Sequence, residues 1–256
     1  MLLIFSKLKS KLTEKIIFGT MRMAEKKKPI SYWINFIKFL VENGITKIHI
    51  SNEYSSYKII TKIFSSSEFQ SIKKKIEVIL KCSSPNFNEK KFNKLKLYNQ
   101  IYEIKKDLGI DKFFAIQWLW RGNLKNDKQR ILDLKNSQKE VNQLINNTKI
   151  KLSKYFFSFP YTENFLKFTK KKIKIDGFTL YLNLEEEKYY KYIKYDNFKY
   201  ITIRPFIKTN KSIREINIKK ILRLHFKNKN IIGTMISLSK KEEIYKIKSI
   251  LNEENF

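Results

Sequence analysis

Cysteine and histidine, the side chains most used as thiolate nucleophiles and zinc ligands, are rare in this sequence. The chain has one cysteine, Cys82, and two histidines, His49 and His225. One cysteine excludes an internal disulfide framework and a multi-cysteine metal site, and two histidines argue against a histidine-built zinc site. Because Cys82 lies within an apolar run, we expect a buried, inert thiol. His225 ends a helical pattern, so we expect a surface or helix-terminus residue.

Serines and lysines near the C-terminus are suited to bind a phosphate group. Ser237, Ser239, Lys240 and Lys241 lie between the last predicted strand and the helix that follows it. Free backbone N–H groups, the helix dipole and the ammonium groups attract an anion at such a place. Arg204, at the end of the preceding strand, adds a guanidinium group. The alternative is that the two lysines are ordinary solvated helix residues.

The whole chain is strongly basic. It has 54 Lys and Arg residues against 24 Asp and Glu, a formal net charge of +30. Such a charge is typical of proteins that bind nucleic acid or an anionic membrane surface. However, the lysines are spread along the whole chain, and no nucleic-acid-binding motif accompanies them. We therefore favour a compositional origin, expect no specific nucleic-acid partner, and keep a salt-sensitive polyanion binder as a weaker hypothesis.

The N-terminus does not have the pattern of a targeting or spanning segment. Its apolar start is shorter than the core of a signal peptide, and its positive charges follow that start instead of preceding it. No apolar run approaches the roughly 20 residues of a transmembrane helix. We expect residues 1–14 to form a basic extension that docks on the protein or lies on a membrane surface. A cytoplasmic location is the default expectation.

The chain alternates between predicted strands and helices that must position these side chains. The strand-like runs are almost continuously apolar, which is typical of strands covered on both faces. They are 15–20, 47–51, 76–83, 113–120, 155–161, 175–183, 200–206 and 230–237. The helical segments are 30–42, 56–65, 88–108, 127–148, 162–172, 185–195, 212–226 and 239–251. The last is expected to open with a capping box, Ser239 to Glu242.

Eight strand–helix units in strict alternation favour a closed parallel barrel. The (β/α)8 or TIM barrel typically takes about 250 residues, and this chain has 256, of which 42% are hydrophobic. No linker-like stretch divides it. We therefore predict an α/β fold with a single TIM-barrel domain over residues 15–256. Periodicity alone leaves a doubly wound α/β fold as the rival.

Short motifs in chain order resemble the aldo/keto reductase family from about Lys15 to Leu251. The motifs are GTMR at 19–22, ENGI at 42–45, HISNEY at 49–54, ILK at 79–81, LGID at 108–111, IQW at 116–118, LYLN at 180–183, RPF at 204–206 and IGT at 232–234. The order and spacing of these motifs are fairly specific for the fold of that family. They are less specific for its reaction, because one fold hosts many functions.

The resemblance implies NAD(P)H-dependent reduction of a carbonyl compound. The tyrosine that protonates the carbonyl oxygen corresponds to Tyr54, and the lysine that lowers the pKa of that tyrosine corresponds to Lys81. The aspartate position of the family carries His49, and its histidine position carries Gln117. Gln117 can donate a hydrogen bond to a carbonyl but cannot carry a proton. Either Glu53 or His49 is then the expected partner of Lys81.

The resemblance matches the cofactor site less completely. The family's residues for the nicotinamide amide fall near Phe159-Pro160 and on Phe178 or Thr179, and its stacking tyrosine falls near Ile203. For the phosphate groups of the cofactor, the sequence offers the five residues named above: Arg204, Ser237, Ser239, Lys240 and Lys241. Two functions are consistent with this pattern. One is a divergent NADP-dependent oxidoreductase acting on a small carbonyl compound such as a sugar. The other is a catalytically degenerate barrel that binds a ligand or partner without hydride transfer.

Overall fold

Each apolar run identified in the sequence forms a strand. The computed structural model describes residues 13–83, 92–119, 127–160, 162–183, 193, 197–206 and 215–253. The strands are β1 Ile16–Gly19, β2 Lys47–Ile50, β3 Glu77–Ser83, β4 Phe113–Leu119, β5 Ser153–Ser158, β6 Gly177–Tyr181, β7 Lys199–Ile203 and β8 Ile231–Ile236. Two strands, β5 and β7, end three residues before their expected bounds. Pro160 and Pro205 follow them, and a proline has no N–H group to continue the ladder.

The strands close on themselves in chain order to form a barrel. The closing pair is β1 with β8, which run parallel with Ile17 opposite Met235. An open, doubly wound sheet has no such pair, so the predicted α/β (β/α)8 barrel in a single domain is confirmed and its rival is excluded.

The closing pair depends on a glycine. A Cβ atom at Gly233 would come within 2.9 Å of Ile17 Cγ1, a distance that real Cβ atoms do not show. Ile17 is fully buried. Its side chain therefore occupies the space that a larger residue in β8 would need.

Nine α-helices fall within the described residues. They are α1 Ile30–Glu42, α2 Tyr57–Ser65, α3 Gln70–Lys73, α4 Lys94–Leu108, α5 Asp127–Asn136, α6 Gln138–Lys151, α7 Glu163–Lys172, α8 Glu215–Lys227 and α9 Lys241–Glu253. The single helix expected over 127–148 is two helices, because Ser137 leaves the helical conformation with ψ at 8°. The helix expected over 185–195 lies outside the described residues, apart from residue 193.

The contacts of the chain form two compact units. The first consists of Met1–His49, Ser55–Glu77 and Leu180–Phe256, and the second of Ile50–Tyr54 and Val78–Thr179.

Aromatic side chains form much of the core of each unit. In the first, Phe18 of β1 packs on Trp33 and Phe36 of α1, with ring centroids 6.4 and 5.7 Å away. In the second, Trp118 of β4 packs on Phe156 of β5 at 6.3 Å. Such rings combine a large buried apolar area with favourable tilted geometry.

His225 lies in the last turn of α8, as the helix-terminus alternative expects, but it is fully buried, so the surface alternative is wrong. Its Nδ1 atom lies 3.0 Å from Thr202 Oγ1 and 3.2 Å from Thr234 Oγ1. The two threonines belong to β7 and β8, and His225 at the end of α8 gives their buried hydroxyls a polar partner. Burial lowers the pKa of His225 to about 4.

The buried imidazole makes the stability of the fold depend on pH. The unfolded chain protonates His225 near its ordinary pKa of 6.5, whereas the folded chain keeps it neutral down to about 4. The stabilisation from this residue is therefore complete above pH 6.5 and decreases as the pH falls toward 4, by up to about 3 kcal/mol. We expect the difference in unfolding free energy between wild type and H225N to shrink over this range, as measured by urea denaturation. A difference that does not change with pH would contradict this.

Candidate active site

A tight turn after β2 carries two of the candidate residues. The hydroxyl of Ser51 accepts a hydrogen bond from the Glu53 N–H group at 3.3 Å. The Ser51 carbonyl accepts one from the Tyr54 N–H group at 3.2 Å. These bonds fix Glu53 and Tyr54 at the C-terminal end of β2, the end at which the active sites of TIM barrels lie.

Lys81 of β3 contacts both residues of this turn. Its Nζ atom lies 3.2 Å from Glu53 Oε2 and 5.2 Å from the centroid of the Tyr54 ring. The Lys81 side chain is 14% exposed and that of Glu53 is 26% exposed. An ammonium ion this far from water needs a nearby negative charge. The acidic partner is therefore Glu53, one of the two partners that the sequence left open.

Gln117 of β4 is the register partner of Lys81 in the adjacent parallel strand. Neighbouring side chains alternate across a strand, so Gln117 and Lys81 share one face of the sheet, while Cys82 and Trp118 share the other. Gln117 is 1% exposed. This face of the two strands thus carries a buried amide next to Lys81 in the register.

Cys82 is buried and free, as expected. Burial, followed by the charge of Glu53, raises the pKa of its thiol far above the ordinary value. A thiol held protonated in this way is a poor nucleophile, so Cys82 has no part in the chemistry of the site.

Thr179 of β6 is a candidate residue that the sequence did not separate from its neighbour. Phe178 lies under Lys170 of α7, whose Nζ atom is 5.7 Å from the ring centroid, so Phe178 faces the helices. Thr179 therefore faces the barrel interior, and among the described residues its fully buried hydroxyl has no hydrogen-bond partner. An unpaired buried hydroxyl is available to a polar ligand group. Strand alternation was the signal that could have favoured Thr179 over Phe178.

His49 is buried in β2, in the first unit, with 3% of its surface exposed. Its carbonyl oxygen accepts hydrogen bonds from the Thr20 N–H group at 3.3 Å and from the Thr20 hydroxyl at 2.8 Å. Its register partner is Gly19. The backbone of His49 is therefore part of the β1–β2 pairing.

The N–H groups before α9 are already bonded, so the expectation that they are free is wrong. The Ser239 and Lys240 N–H groups donate to Glu243 Oε2 at 2.6 and 2.9 Å. The helix begins at Lys241, two residues later than expected. The capping glutamate is consequently Glu243 at the third helical position instead of Glu242.

The other residues of this segment lie on the surface or on α1. Ser237 is exposed, and the Ser239 carbonyl accepts a 2.6 Å hydrogen bond from the Tyr32 hydroxyl. The Lys241 ammonium lies 4.9 Å from the centroid of the Phe39 ring. Arg204 directly follows β7, is exposed, and places its guanidinium carbon 5.0 Å from the centroid of the Tyr181 ring.

Two separate groups, one in each unit, have chemistry suited to parts of a nicotinamide cofactor. The N–H pair at Ser239 and Lys240 already binds one carboxylate, which shows that its geometry suits an oxyanion such as a phosphate. Thr179 supplies an unpaired hydroxyl suited to an amide. The segment Phe159-Pro160 and Ile203 bring only apolar side chains to the remaining family positions.

The described part of the chain offers neither a cluster of metal ligands nor a membrane-spanning helix. No group of three or more His, Cys, Asp or Glu residues there could hold a metal ion. None of the helices described is long and apolar enough to cross a membrane.

Similarity to known proteins is detectable in structure but not in sequence. No family model matches the chain, and no curated protein matches it. A solved structure from Pseudomonas aeruginosa, assigned to the aldo-keto reductases, is 11% identical, with a TM-score of 0.71 over 93% of this chain and 91% of that one.

Two further aldo-keto reductases have similar scores. The Bacillus halodurans enzyme in its holo form is 10% identical, with a TM-score of 0.69 over 94% of this chain and 88% of that one. The Klebsiella pneumoniae enzyme in complex with NADP and acetate is 10% identical, with a TM-score of 0.66 over 93% and 86%. The chain therefore has the fold of the aldo-keto reductases, which confirms the resemblance at the level of the fold.

Removing the carboxylate of Glu243 should open the N–H pair to an external anion. We expect E243A, which removes the accepting oxygen, to bind NADP+ about tenfold more tightly, the scale of one charge-assisted hydrogen bond. It should also lose about 0.5–2 kcal/mol of unfolding free energy with its cap. Fluorescence titration and urea denaturation measure the two effects. E242A removes the same charge from the preceding residue, and equal NADP+ affinity of both variants would disprove the competition.

Proposed function

We propose that this protein is a divergent aldo/keto reductase that reduces a small carbonyl compound with NADPH. The observation that supports it most is the contact of the Lys81 ammonium with both the Glu53 carboxylate and the Tyr54 ring. The polar groups of such a site must be held in place before substrate arrives. The ion pair with Glu53 holds the Lys81 ammonium in this way.

In this proposal Tyr54 donates the proton to the carbonyl oxygen. A neighbouring positive charge favours the phenolate, so Lys81 makes the phenol a better acid. Glu53 pairs with Lys81 and holds it near the ring. This replaces the carboxylate that the family has at the position of His49.

Gln117 orients the carbonyl by donating a hydrogen bond, since an amide has N–H donors but does not titrate. His49 is proposed as a neutral hydrogen-bonding residue of the same set. Proton donation then depends on Tyr54 alone, because Gln117 cannot replace it as an acid.

NADPH, when bound, supplies the hydride. Thr179 would hold the amide of its nicotinamide, and Arg204, Ser237, Ser239, Lys240 and Lys241 are proposed for its phosphates. Glu243 must release the N–H pair for a phosphate to use it. A cytoplasmic location and a sugar-like substrate, both expected from the sequence, stay part of this proposal.

The second candidate is a barrel that binds a ligand or partner without hydride transfer. The apolar side chains of Phe159, Pro160 and Ile203 favour it, because they offer no polar group to a nicotinamide. Such a protein would retain the fold and lose the cofactor.

The two candidates differ in NADPH binding and consumption. We expect saturable NADPH binding in the micromolar range, followed by fluorescence, and oxidation of NADPH with 4-nitrobenzaldehyde, followed by absorbance. Y54F and K81M should each lower kcat by about 100-fold or more while NADPH still binds, because they remove the acid or the charge beside it.

Y102F provides the matched control, because Tyr102 is an exposed residue of α4. It should leave kcat unchanged. Absence of NADPH binding by the wild type would exclude the reductase and favour the non-catalytic barrel. Turnover that survives in Y54F would remove Tyr54 from its role.

A further inference from the structure

The ends of β6 and β7 hold an arginine against a tyrosine. The Leu182 N–H group donates to the Ile203 carbonyl at 3.3 Å, which fixes the two strand ends beside each other. Tyr181 and Arg204 flank this bond in the chain. The guanidinium carbon of Arg204 lies 5.0 Å from the Tyr181 ring centroid, within the range of a cation–π contact.

The backbone of Arg204 is strained. Its φ angle is 52°, in the left-handed region that favours glycine and asparagine. The next residue is Pro205, whose ring further restricts the residue before it to extended conformations. Glycine or asparagine would adopt this conformation more easily. Strain of this kind is concentrated at functional sites, which makes the side chain of Arg204 the feature to explain.

The guanidinium group of Arg204 has no carboxylate partner among the described residues. Stacking occupies the face of the guanidinium, whereas its N–H donors lie in the plane of the group and stay available. Arg204 is exposed, and it follows β7 at the barrel end at which active sites lie. A planar fork of donors in a fixed place matches a carboxylate or phosphate better than a mobile lysine does.

We propose that Arg204, held on the Tyr181 ring, forms an oxyanion site that binds a carboxylate or phosphate group. The site lies entirely in the first unit. A cofactor phosphate at this site is the role already proposed for Arg204, so the new element is an anionic group on the carbonyl substrate. The substrate case rests on the proposed function and deepens it, because it restricts the substrates to acidic carbonyl compounds.

The first experiment needs no enzymatic activity. Pyrophosphate and terephthalate are titrated into the whole protein at 0.15 M salt by isothermal titration calorimetry. We expect R204Q to bind at least one of them about 10- to 100-fold more weakly than the wild type, the scale of a charge-assisted bidentate pair. Y181F, which keeps the ring, should bind as the wild type does, and Y181L should bind more weakly.

Because the protein is strongly basic, the loss of any positive charge could weaken anion binding in general. A control variant must therefore remove one positive charge elsewhere. R223Q removes one exposed arginine from α8 and should leave both affinities within about twofold. R204N keeps a side chain that tolerates the left-handed conformation, so it should melt no lower than the wild type while losing the anion. Equal weakening in R204Q and R223Q, or no weakening in R204Q, would overturn the oxyanion site.

Two further probes identify the source of the anion. If the substrate carries it, R204Q raises the KM for 4-carboxybenzaldehyde about tenfold or more relative to its effect on the KM for 4-nitrobenzaldehyde. If a cofactor carries it, R204Q weakens 2′,5′-ADP instead. Arg204-dependent anion binding without reduction of either aldehyde would support this site and contradict the reductase. Reduction with no effect of R204Q on any probe would support the reductase and overturn the site.

Discussion

The largely buried ammonium of Lys81 is the constraint around which the candidate site is organised. A positive charge with 14% of its side chain exposed requires a counter-ion, and the Glu53 carboxylate lies 3.2 Å away. Glu53 reaches it only because the Ser51 turn fixes the chain directly after β2. The same turn places the Tyr54 ring beside the ammonium. One ion pair thus accounts for the positions of the acid, the cation and the turn that joins them.

Parallel pairing extends this arrangement to the neighbouring strand. The β3–β4 register places Gln117 opposite Lys81, and alternation directs Cys82 and Trp118 to the helix side. Ionisable and polar groups therefore share one face, while the thiol and the indole pack in the core. The carboxylate of Glu53 reaches this face from the turn after β2, and the amide of Gln117 reaches it from β4.

The fold was predictable because each strand is an almost continuous apolar run, a pattern that survives when sequence identity has fallen to about 10%. The places of Tyr54 just after β2 and of Lys81 in β3 were predictable because their motifs are local, whereas their roles stay predictions. The choice of Glu53 over His49 was not, since it depends on a contact across 28 positions. The burial of His225 was missed because polarity alone suggests the surface. Glu243 replaced Glu242 because the last helix starts later than its capping pattern indicates.

The most direct test of the account follows the hydride itself. NADPH carrying deuterium at the transferable C4 position is incubated with 4-nitrobenzaldehyde and the protein, and the alcohol is analysed by mass spectrometry. We predict one deuterium per molecule of product with the wild type, and loss of labelled product with Y54F. NADPH that binds but yields no labelled alcohol above the protein-free background would contradict the account and favour a barrel without hydride chemistry.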